Sequence, residues 1–147
     1  MIPCSVYIVT LNCGPWLEDT LQSVKDFSEV IILDSGSTDD TYAIAQSFAN
    51  TRISHQDWQG YAAQKSLALA QCKNDWVLNL DGDEVLSAEL KAEIERTIQD
   101  NQVDALITPI NDVFLGVPNS KHTKKHAKVR FFRKSKGQYD QIGRAHV

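Results

Sequence analysis

Strand-like and helix-like patterns alternate along the first hundred residues. Short runs rich in β-branched and aromatic residues predict strands at residues 5–11, 29–33, 52–56 and 76–80. Between them, apolar residues recur at helical spacing and predict three helices, marked by Leu17, Leu21 and Val24, by Ile44, Ala45, Phe48 and Ala49, and by Ala63, Leu67 and Ala70. A fourth helix is predicted to begin after Ser87, a good N-cap residue, with Leu90, Ile94 and Ile98 on one stripe.

This order of elements predicts an α/β fold. Strands that alternate with helices form right-handed crossovers, so we expect a mainly parallel sheet with helices on both faces. The continuous apolar runs at residues 30–33 and 77–78 are typical of strands that are buried on both sides. After about residue 104 the alternation stops, and further strands are predicted at residues 105–109 and 129–133. The 147 residues fit one domain, and we expect its second half to be incomplete.

Polar residues follow three of the predicted strands. They form the segments Thr10-Leu11-Asn12, Asp34-Ser35-Gly36-Ser37-Thr38-Asp39 and Asp81-Gly82-Asp83-Glu84. Ligands of open parallel sheets bind where strands end at their carboxyl edge, so we expect the three segments to converge there on one site. Plainer interpretations stay open for each segment alone: the first as a turn, and Ser37 with Asp40 as a helix capping box.

The acidic segment is the most informative, because a buried strand rarely ends in several carboxylates. Residues i and i+2 of a strand lie roughly 6–7 Å apart on one face. At an effective dielectric near 20, two such charges repel by about 2–3 kcal/mol. A bound cation would remove this repulsion, and oxygen ligands suit Mg²⁺ or Mn²⁺, which usually bridge to substrate phosphates. The segment therefore predicts a metal-dependent enzyme that acts on a phosphorylated substrate.

Composition excludes several other classes of protein. No apolar run approaches the 18 residues of a membrane span, and the N-terminus lacks the pattern of a signal peptide. The cysteines Cys4, Cys13 and Cys72 are odd in number and widely spaced, which favours free thiols in a reducing compartment. We therefore expect a cytoplasmic protein.

With these motifs, the chain resembles the nucleotide-binding half of a family 2 glycosyltransferase of the GT-A fold, from about residue 4 to residue 141. Within that family it is most similar to the lipopolysaccharide core β-1,4-glucosyltransferases. The resemblance depends on residues 7–12 (Tyr-Ile-Val-Thr-Leu-Asn), 34–39, 58–65 (Trp-Gln-Gly-Tyr-Ala-Ala-Gln-Lys), 76–84 and 114–116 (Phe-Leu-Gly). It implies an inverting transfer of glucose from UDP-glucose to a heptose of the lipopolysaccharide inner core or a similar glycan.

The resemblance also implies roles for individual residues. Thr10, Asn12 and Asp34 would line the nucleobase and ribose pocket, with Asp34 accepting a hydrogen bond from a base N–H. Lys65 would face the nucleotide or its diphosphate, although a solvent-facing helix lysine is the plainer interpretation. Asp81 would contact ribose or metal, and Asp83 would bind Mg²⁺ or Mn²⁺, which stabilises the departing diphosphate.

Two features near the acidic loop and the C-terminus stay open. Glu84 either orients the metal ligands or caps the following segment. The base that takes the proton of the acceptor hydroxyl is expected downstream of Gln141, near a Val-His-Glu motif that is absent here. Residues 142–147 match the in-frame translation of a common sequencing adapter, so we expect the native domain to be residues 1–141 and the last six to be non-native.

Charge is distributed unevenly. Residues 1–120 hold 18 acidic and 6 basic residues, whereas residues 121–147 hold 9 basic residues and 1 acidic residue. The basic segment from Lys121 to Lys136 is expected to be solvated or to meet the donor diphosphate, a phosphorylated lipid core or the anionic inner face of the cytoplasmic membrane. His122 and His126 have a metal-binding spacing, but no acid stands at the usual offset.

Rival functions remain from the residues alone. Asp81 and Asp83 also resemble the nucleophile and acid of a haloacid-dehalogenase-like phosphatase, although that loop usually follows the first strand. A chain without its base would bind nucleotide and metal yet turn nothing over. A dinucleotide-binding fold is excluded by the absence of a G-x-G-x-x-G motif, and a nucleic-acid partner is not expected of so acidic a body.

Overall fold

A six-stranded sheet with helices packed against it organises the computed structural model, which describes residues 1–109, 113–115, 127–139 and 145–146. The first four strands alternate with helices, as predicted. In chain order the elements are β1 (Ile2–Thr10), α1 (Gly14–Ser23), β2 (Phe27–Asp34), α2 (Thr41–Gln46), β3 (Thr51–His55), α3 (Tyr61–Ala70), β4 (Trp76–Asp81), β5 (Glu84–Leu86), α4 (Ala88–Asp100), β6 (Ala105–Pro109), β7 (Val113–Leu115), β8 (Ala127–Arg133), β9 (Gln138–Tyr139) and β10 (Ala145–His146).

The strand order explains where a ligand can bind. It runs β3-β2-β1-β4-β8-β6, with β3, β2, β1 and β4 parallel and with β8 and β6 antiparallel to their neighbours. The prediction of a mainly parallel α/β sheet is confirmed. The order reverses at β1, which pairs with β2 on one side and β4 on the other, so the carboxyl ends of β1 and β4 flank the crevice in which such sheets bind ligands.

Both faces of the sheet are buried, which is why the central strands are almost continuously apolar. One face packs against α1, α2 and α4, and its buried cluster includes Leu17, Leu21, Ile32, Leu78 and Ile94. The other face packs against α3 through Tyr7, Ile31, Leu69, Val77 and Phe132. At roughly 1.5–3 kcal/mol for each fully buried aliphatic side chain, these two layers stabilise the fold.

The helices follow the predicted pattern with two corrections at their ends. The second helix ends at Gln46, so Phe48 and Ala49 lie beyond it; the chain turns there and the N–H of Thr51 bonds the carbonyl of Phe48 at 3.1 Å as β3 begins. The first helix stops at Ser23, which leaves Val24 as its C-cap. Ser87 is confirmed as an N-cap, since its hydroxyl accepts the N–H of Leu90 at 3.1 Å.

The basic segment is not simply solvated. Arg133 pairs with Asp104 at 3.1 Å and lies over the ring of Trp76 at 4.2 Å, and Lys134 donates to the carbonyl of Cys72 at 2.8 Å, near the C-terminus of α3. These side chains fasten β8 to the sheet, so the expectation of a solvated or phosphate-facing run is wrong for them. Residues 121–126 lie outside the described residues, with His122 and His126, as does Gly116.

Three further predictions concern the C-terminal residues, membrane spans and the cysteines. Ala145–His146 pairs antiparallel with Gln138–Tyr139, and the non-native origin of residues 142–147 stays a prediction. Among the described residues, no helix has the length and apolar character that crossing a membrane requires. The three cysteines are free thiols, as expected.

Candidate functional site

The polar strand ends meet at one edge of the sheet. Thr10 is the register partner of Asp34 on β2, and Val9 is the partner of Asp81 on β4. Because neighbouring strands lie about 4.8 Å apart, the ends of β2 and β4 stand roughly 10 Å from each other across β1. The sheet therefore brings the three polar segments together at one edge, as expected.

Asp34 is a fully buried carboxylate held by four donors. Its Oδ1 accepts from the hydroxyls of Thr10 at 2.6 Å and Ser37 at 2.5 Å, and its Oδ2 accepts from the N–H groups of Gly36 at 2.9 Å and Ser37 at 2.7 Å. Burial acts to raise its pKa, but these hydrogen bonds outweigh burial and lower the pKa overall. Asp34 thus stays ionised in the interior and organises the loop that follows β2.

Asn12 joins the loops that follow β1 and β2. It has a left-handed backbone with φ of 52°, which asparagine tolerates better than most residues. Its N–H donates to the Ser37 hydroxyl at 2.8 Å, and its side-chain oxygen accepts the N–H of Thr38 at 2.8 Å. Ser37 is therefore bound to Asp34 and Asn12, while Asp40 is the N-cap of α2 without a side-chain cap bond, so the capping-box interpretation is wrong.

Gln64 ties α3 to the same region. Its side chain is fully buried, and its Nε2 donates to the Ser35 hydroxyl at 3.2 Å and to the carbonyl of Gln56 at 3.3 Å. Lys65 follows on the helix and is partly buried, so the choice between a nucleotide-facing and a solvent-facing lysine stays open. Sequence reasoning missed Gln64 as a positioning residue, since an amide in an amphipathic helix gives no signal of its own.

The loop after β4 lies against α1 and the loop that precedes it. Asp81 and Asp83 are exposed, whereas the glycine between them is buried. A Cβ on Gly82 would lie 2.6 Å from the sulfur of Cys13, and the carbonyl of Gly82 accepts the Thr20 hydroxyl at 3.2 Å. Close contact therefore selects glycine here, and the two aspartates project from a fixed turn.

Glu84 faces inward, unlike the two aspartates. It is 1% exposed, accepts the N–H of Asp81 at 2.7 Å and forms a buried ion pair with Arg130 of β8. Burial raises the pKa of Glu84, and the Asp81 carboxylate raises it further, while Arg130 opposes both. The sequence left open whether Glu84 orients the metal ligands or caps the following segment. In the structure, its side chain braces the turn that carries Asp81.

Negative charge is concentrated around Cys13. Burial raises the pKa of this half-buried thiol, and the carboxylates of Asp83, Asp39 and Asp34 raise it further. Asp83 and Asp39 lie in the loops after β4 and β2, and Asp34 is the last residue of β2, so their fields overlap at the crevice beside β1. Such a concentration of carboxylates favours a bound cation.

The donor atoms present suit a hard divalent metal ion. Asp81 and Asp83 supply carboxylate oxygens on a braced turn, and Mg²⁺ is commonly held by one or two carboxylates together with substrate phosphates and water. Over the part of the chain that the structure describes, no group of three or more His, Cys, Asp or Glu side chains forms a complete metal cage. A cation here would accordingly take its remaining ligands from a substrate or from water.

Comparison with known sequences shows the family to which this chain belongs. The family described as Glycosyl transferase family 2 matches residues 5–146, and the chain belongs to that family. It is 30% identical over 151 residues to the lipopolysaccharide core biosynthesis glycosyltransferase LpsC of Rhizobium meliloti, covering 99% of this chain and 56% of that protein. An uncharacterized glycosyltransferase of Rickettsia bellii is 48% identical over 92 residues, which cover 62% of this chain and 31% of that protein.

Solved structures show the same fold. Staphylococcus aureus TarS 1–349 in complex with UDP-GlcNAc matches with a TM-score of 0.63 at 25% identity, covering 82% of this chain and 38% of that one. Glucosyl-3-phosphoglycerate synthase of Mycobacterium tuberculosis, in complex with Mn²⁺ and UDP-glucose, matches with a TM-score of 0.52 at 26% identity over 61% of this chain and 36% of that one. Because the chain belongs to a glycosyltransferase family, the haloacid-dehalogenase-like phosphatase alternative is no longer supported.

Proposed function

We propose that this chain is the donor-binding part of a metal-dependent inverting glycosyltransferase. It moves glucose from UDP-glucose to a heptose of the lipopolysaccharide inner core or to a similar glycan. The observation that carries the proposal is the meeting of the β1, β2 and β4 ends beside a braced turn with two exposed aspartates. The similarity to LpsC supports the acceptor class, and the structures with UDP-sugars and Mn²⁺ support the donor and the metal.

The nucleoside binds, in this proposal, across the loops that follow β1 and β2. Thr10, Asn12 and Asp34 line the pocket, and Lys65 places a positive charge near the nucleotide or its diphosphate. All four hydrogen-bond donors to Asp34 come from the protein, and two of them are hydroxyls that can rotate. Acceptance of a base N–H by Asp34 therefore requires Thr10 or Ser37 to turn its hydroxyl away.

The diphosphate binds at the turn after β4. Asp83 and Asp81 would hold Mg²⁺ or Mn²⁺, which supplies positive charge for the departing nucleoside diphosphate when bound. The protein keeps both carboxylates at the crevice through Gly82 and Glu84, so little reorganisation is needed when the donor arrives. We assign no described residue as the base for the acceptor hydroxyl.

Ligand-dependent stability tests the binding half of the proposal. UDP with Mn²⁺ should raise the melting temperature, since a ligand that binds only the folded chain stabilises it by about 2.7 kcal/mol at one hundred times its Kd. Asp83→Ala should abolish the Mn²⁺-dependent part of the shift. Asp100→Ala, at an exposed aspartate at the end of α4, serves as the matched control and should leave the shift unchanged.

Turnover is tested separately from binding. Release of UDP from UDP-glucose, in the presence and absence of a heptose-containing acceptor, distinguishes an active transferase from a chain that only binds nucleotide and metal. Binding that is unaffected by a chelator, or an Asp83→Ala variant with the full thermal shift, would refute the metal site.

A further inference from the structure

A buried ion pair connects the antiparallel part of the sheet to the acidic turn. We infer that Arg130 is a positioning residue for the turn that carries Asp81 and Asp83, acting through Glu84. The inference rests on the proposed function, since it concerns the metal and donor site of the same turn. Nothing in the sequence motif itself requires an arginine on β8 for this purpose.

Two contacts transmit the effect of Arg130 to the turn. Arg130, which is 5% exposed, reaches from β8 to Glu84, and the same Oε1 of Glu84 accepts the N–H of Asp81 at 2.7 Å. Arg130 thereby holds the Glu84 carboxylate in place, and that carboxylate holds the backbone of Asp81. On the other side, the Thr20 hydroxyl holds the carbonyl of Gly82 at 3.2 Å. The turn is therefore held by Glu84 on one side and by Thr20 on the other, and Arg130 supplies the charge that pairs with Glu84.

Stability alone does not account for this pair. Removing two ions from water is costly, and well-packed apolar side chains in place of a buried ion pair are often as stable or more so. Among the residues that the structure describes, the buried Nε of Arg130 has no hydrogen-bond partner, so within this part of the chain the guanidinium leaves one donor unused while it reaches Glu84. We expect a protein to keep an ion pair despite this desolvation cost where the pair holds the residues of a site in position.

The chain offers a matched control at the opposite edge of the sheet. Glu29, near the start of β2, accepts the N–H of Lys73 at 2.5 Å and pairs with Arg52 at 2.8 Å. Like Glu84, it combines a backbone N–H and an arginine on one carboxylate, but it also accepts the Ser5 hydroxyl at 2.6 Å, and Arg52 is more exposed than Arg130. Asp34 lies at the opposite end of the same strand. Changes at Glu29 therefore test the loss of an ion pair that lies away from the acidic turn.

The experiment compares two paired variants of the full chain. In Glu84→Leu with Arg130→Met, the buried charges leave together, and the N–H of Asp81 loses its acceptor. Affinity for Mn²⁺ in the presence of UDP is measured from the electron paramagnetic resonance signal of free Mn²⁺, and the fold is checked by the urea midpoint. We expect Mn²⁺ affinity to fall about tenfold or more, as for other groups that support metal ligands, while a cooperative urea transition shows that the variant still folds. Glu29→Leu with Arg52→Met should leave the affinity unchanged.

The outcomes separate this inference from the proposed function. Mn²⁺ affinity within twofold of the wild type in the folded Glu84→Leu, Arg130→Met variant overturns the role of Arg130 and leaves the proposed function intact. A wild-type chain that binds no Mn²⁺ with UDP overturns both. If the paired variant does not fold, Arg130→Lys decides, because it keeps the charge without the planar guanidinium. At least threefold weaker Mn²⁺ binding then supports the role, and wild-type affinity refutes it.

Discussion

Cys13 and Gly82 are in such close contact that only glycine fits between the two metal-ligand candidates. The sulfur of Cys13 lies 2.6 Å from the position of a Cβ on Gly82, and its own Cβ lies 3.0 Å away. The backbone of Gly82 is not left-handed, so space and not dihedral freedom selects this residue. The contact fixes how closely the acidic turn approaches the loop after β1.

We predict that Gly82→Ala lowers the free energy of unfolding by about 1–3 kcal/mol, the usual range for overpacking. Urea denaturation measures the loss. Cys13→Ala removes the nearer of the two clashing atoms, so it should recover part of that loss when combined with Gly82→Ala. Equal stability of Gly82→Ala and the wild type would contradict the contact.

The three cysteines should differ in reactivity. Burial raises the pKa of Cys72 to about 12 and that of Cys4 well above its ordinary value, whereas Cys13 is half-buried with a smaller rise. A disulfide reagent at pH 8 should therefore modify Cys13 slowly and the other two only after unfolding in urea.

Ligand protection extends this prediction. UDP with Mn²⁺ should slow the modification of Cys13, because the thiol lies among the acids of the crevice. Mass spectrometry identifies the modified residue, and Cys13→Ser should show no reaction in the native state. Fast modification of Cys4 or Cys72 in the folded chain would contradict their burial.

Thr10→Val tests the bond between β1 and β2. The substitution keeps the shape of the side chain but removes a donor from the buried carboxylate of Asp34, which should cost about 1–3 kcal/mol of unfolding free energy. Thr38→Val is the control, since Thr38 is exposed in the next loop and its change should be close to neutral. Equal effects of the two substitutions in urea denaturation would argue against the buried hydrogen bond.

The lowered pKa of Asp34 predicts a dependence of stability on pH. The folded chain holds this carboxylate ionised more strongly than the unfolded chain does, so its contribution is complete above the unfolded pKa of about 3.9. It declines as the pH falls from there through the lower folded pKa. The difference in urea midpoint between wild type and Asp34→Asn should therefore be largest near pH 7 and shrink below about pH 4. A difference that is constant between pH 7 and pH 3 would contradict this.

Local pattern was sufficient for most of the fold. The strand at residues 105–109 was predicted with its observed ends, and the strand at 129–133 differs from β8 only by two residues at its start. The helix prediction failed at Phe48 and Ala49 because their apolar spacing continues past the end of α2 into a turn. Phe48 still packs partly buried against the core from that turn, whereas Ala49 is exposed, so apolar spacing alone did not report the end of the helix.

The candidate site was predicted less completely. The acidic turn and Asp34 have local signals, since carboxylates at a strand end are unusual. The partners that hold them do not: Arg130 is 46 residues from Glu84 in the chain. Without the tertiary structure, a buried arginine on β8 has the same sequence signature as a solvated one.

The central place of β1 has a consequence for biosynthesis. Its two neighbours are β2 and β4, and the register with β4 extends to Asp81. During synthesis β1 must therefore wait for about seventy further residues, until β4 has emerged, before both of its edges are paired. Until then an apolar edge of the nascent chain is open to association with other chains, so slow translation across the first half should promote aggregation.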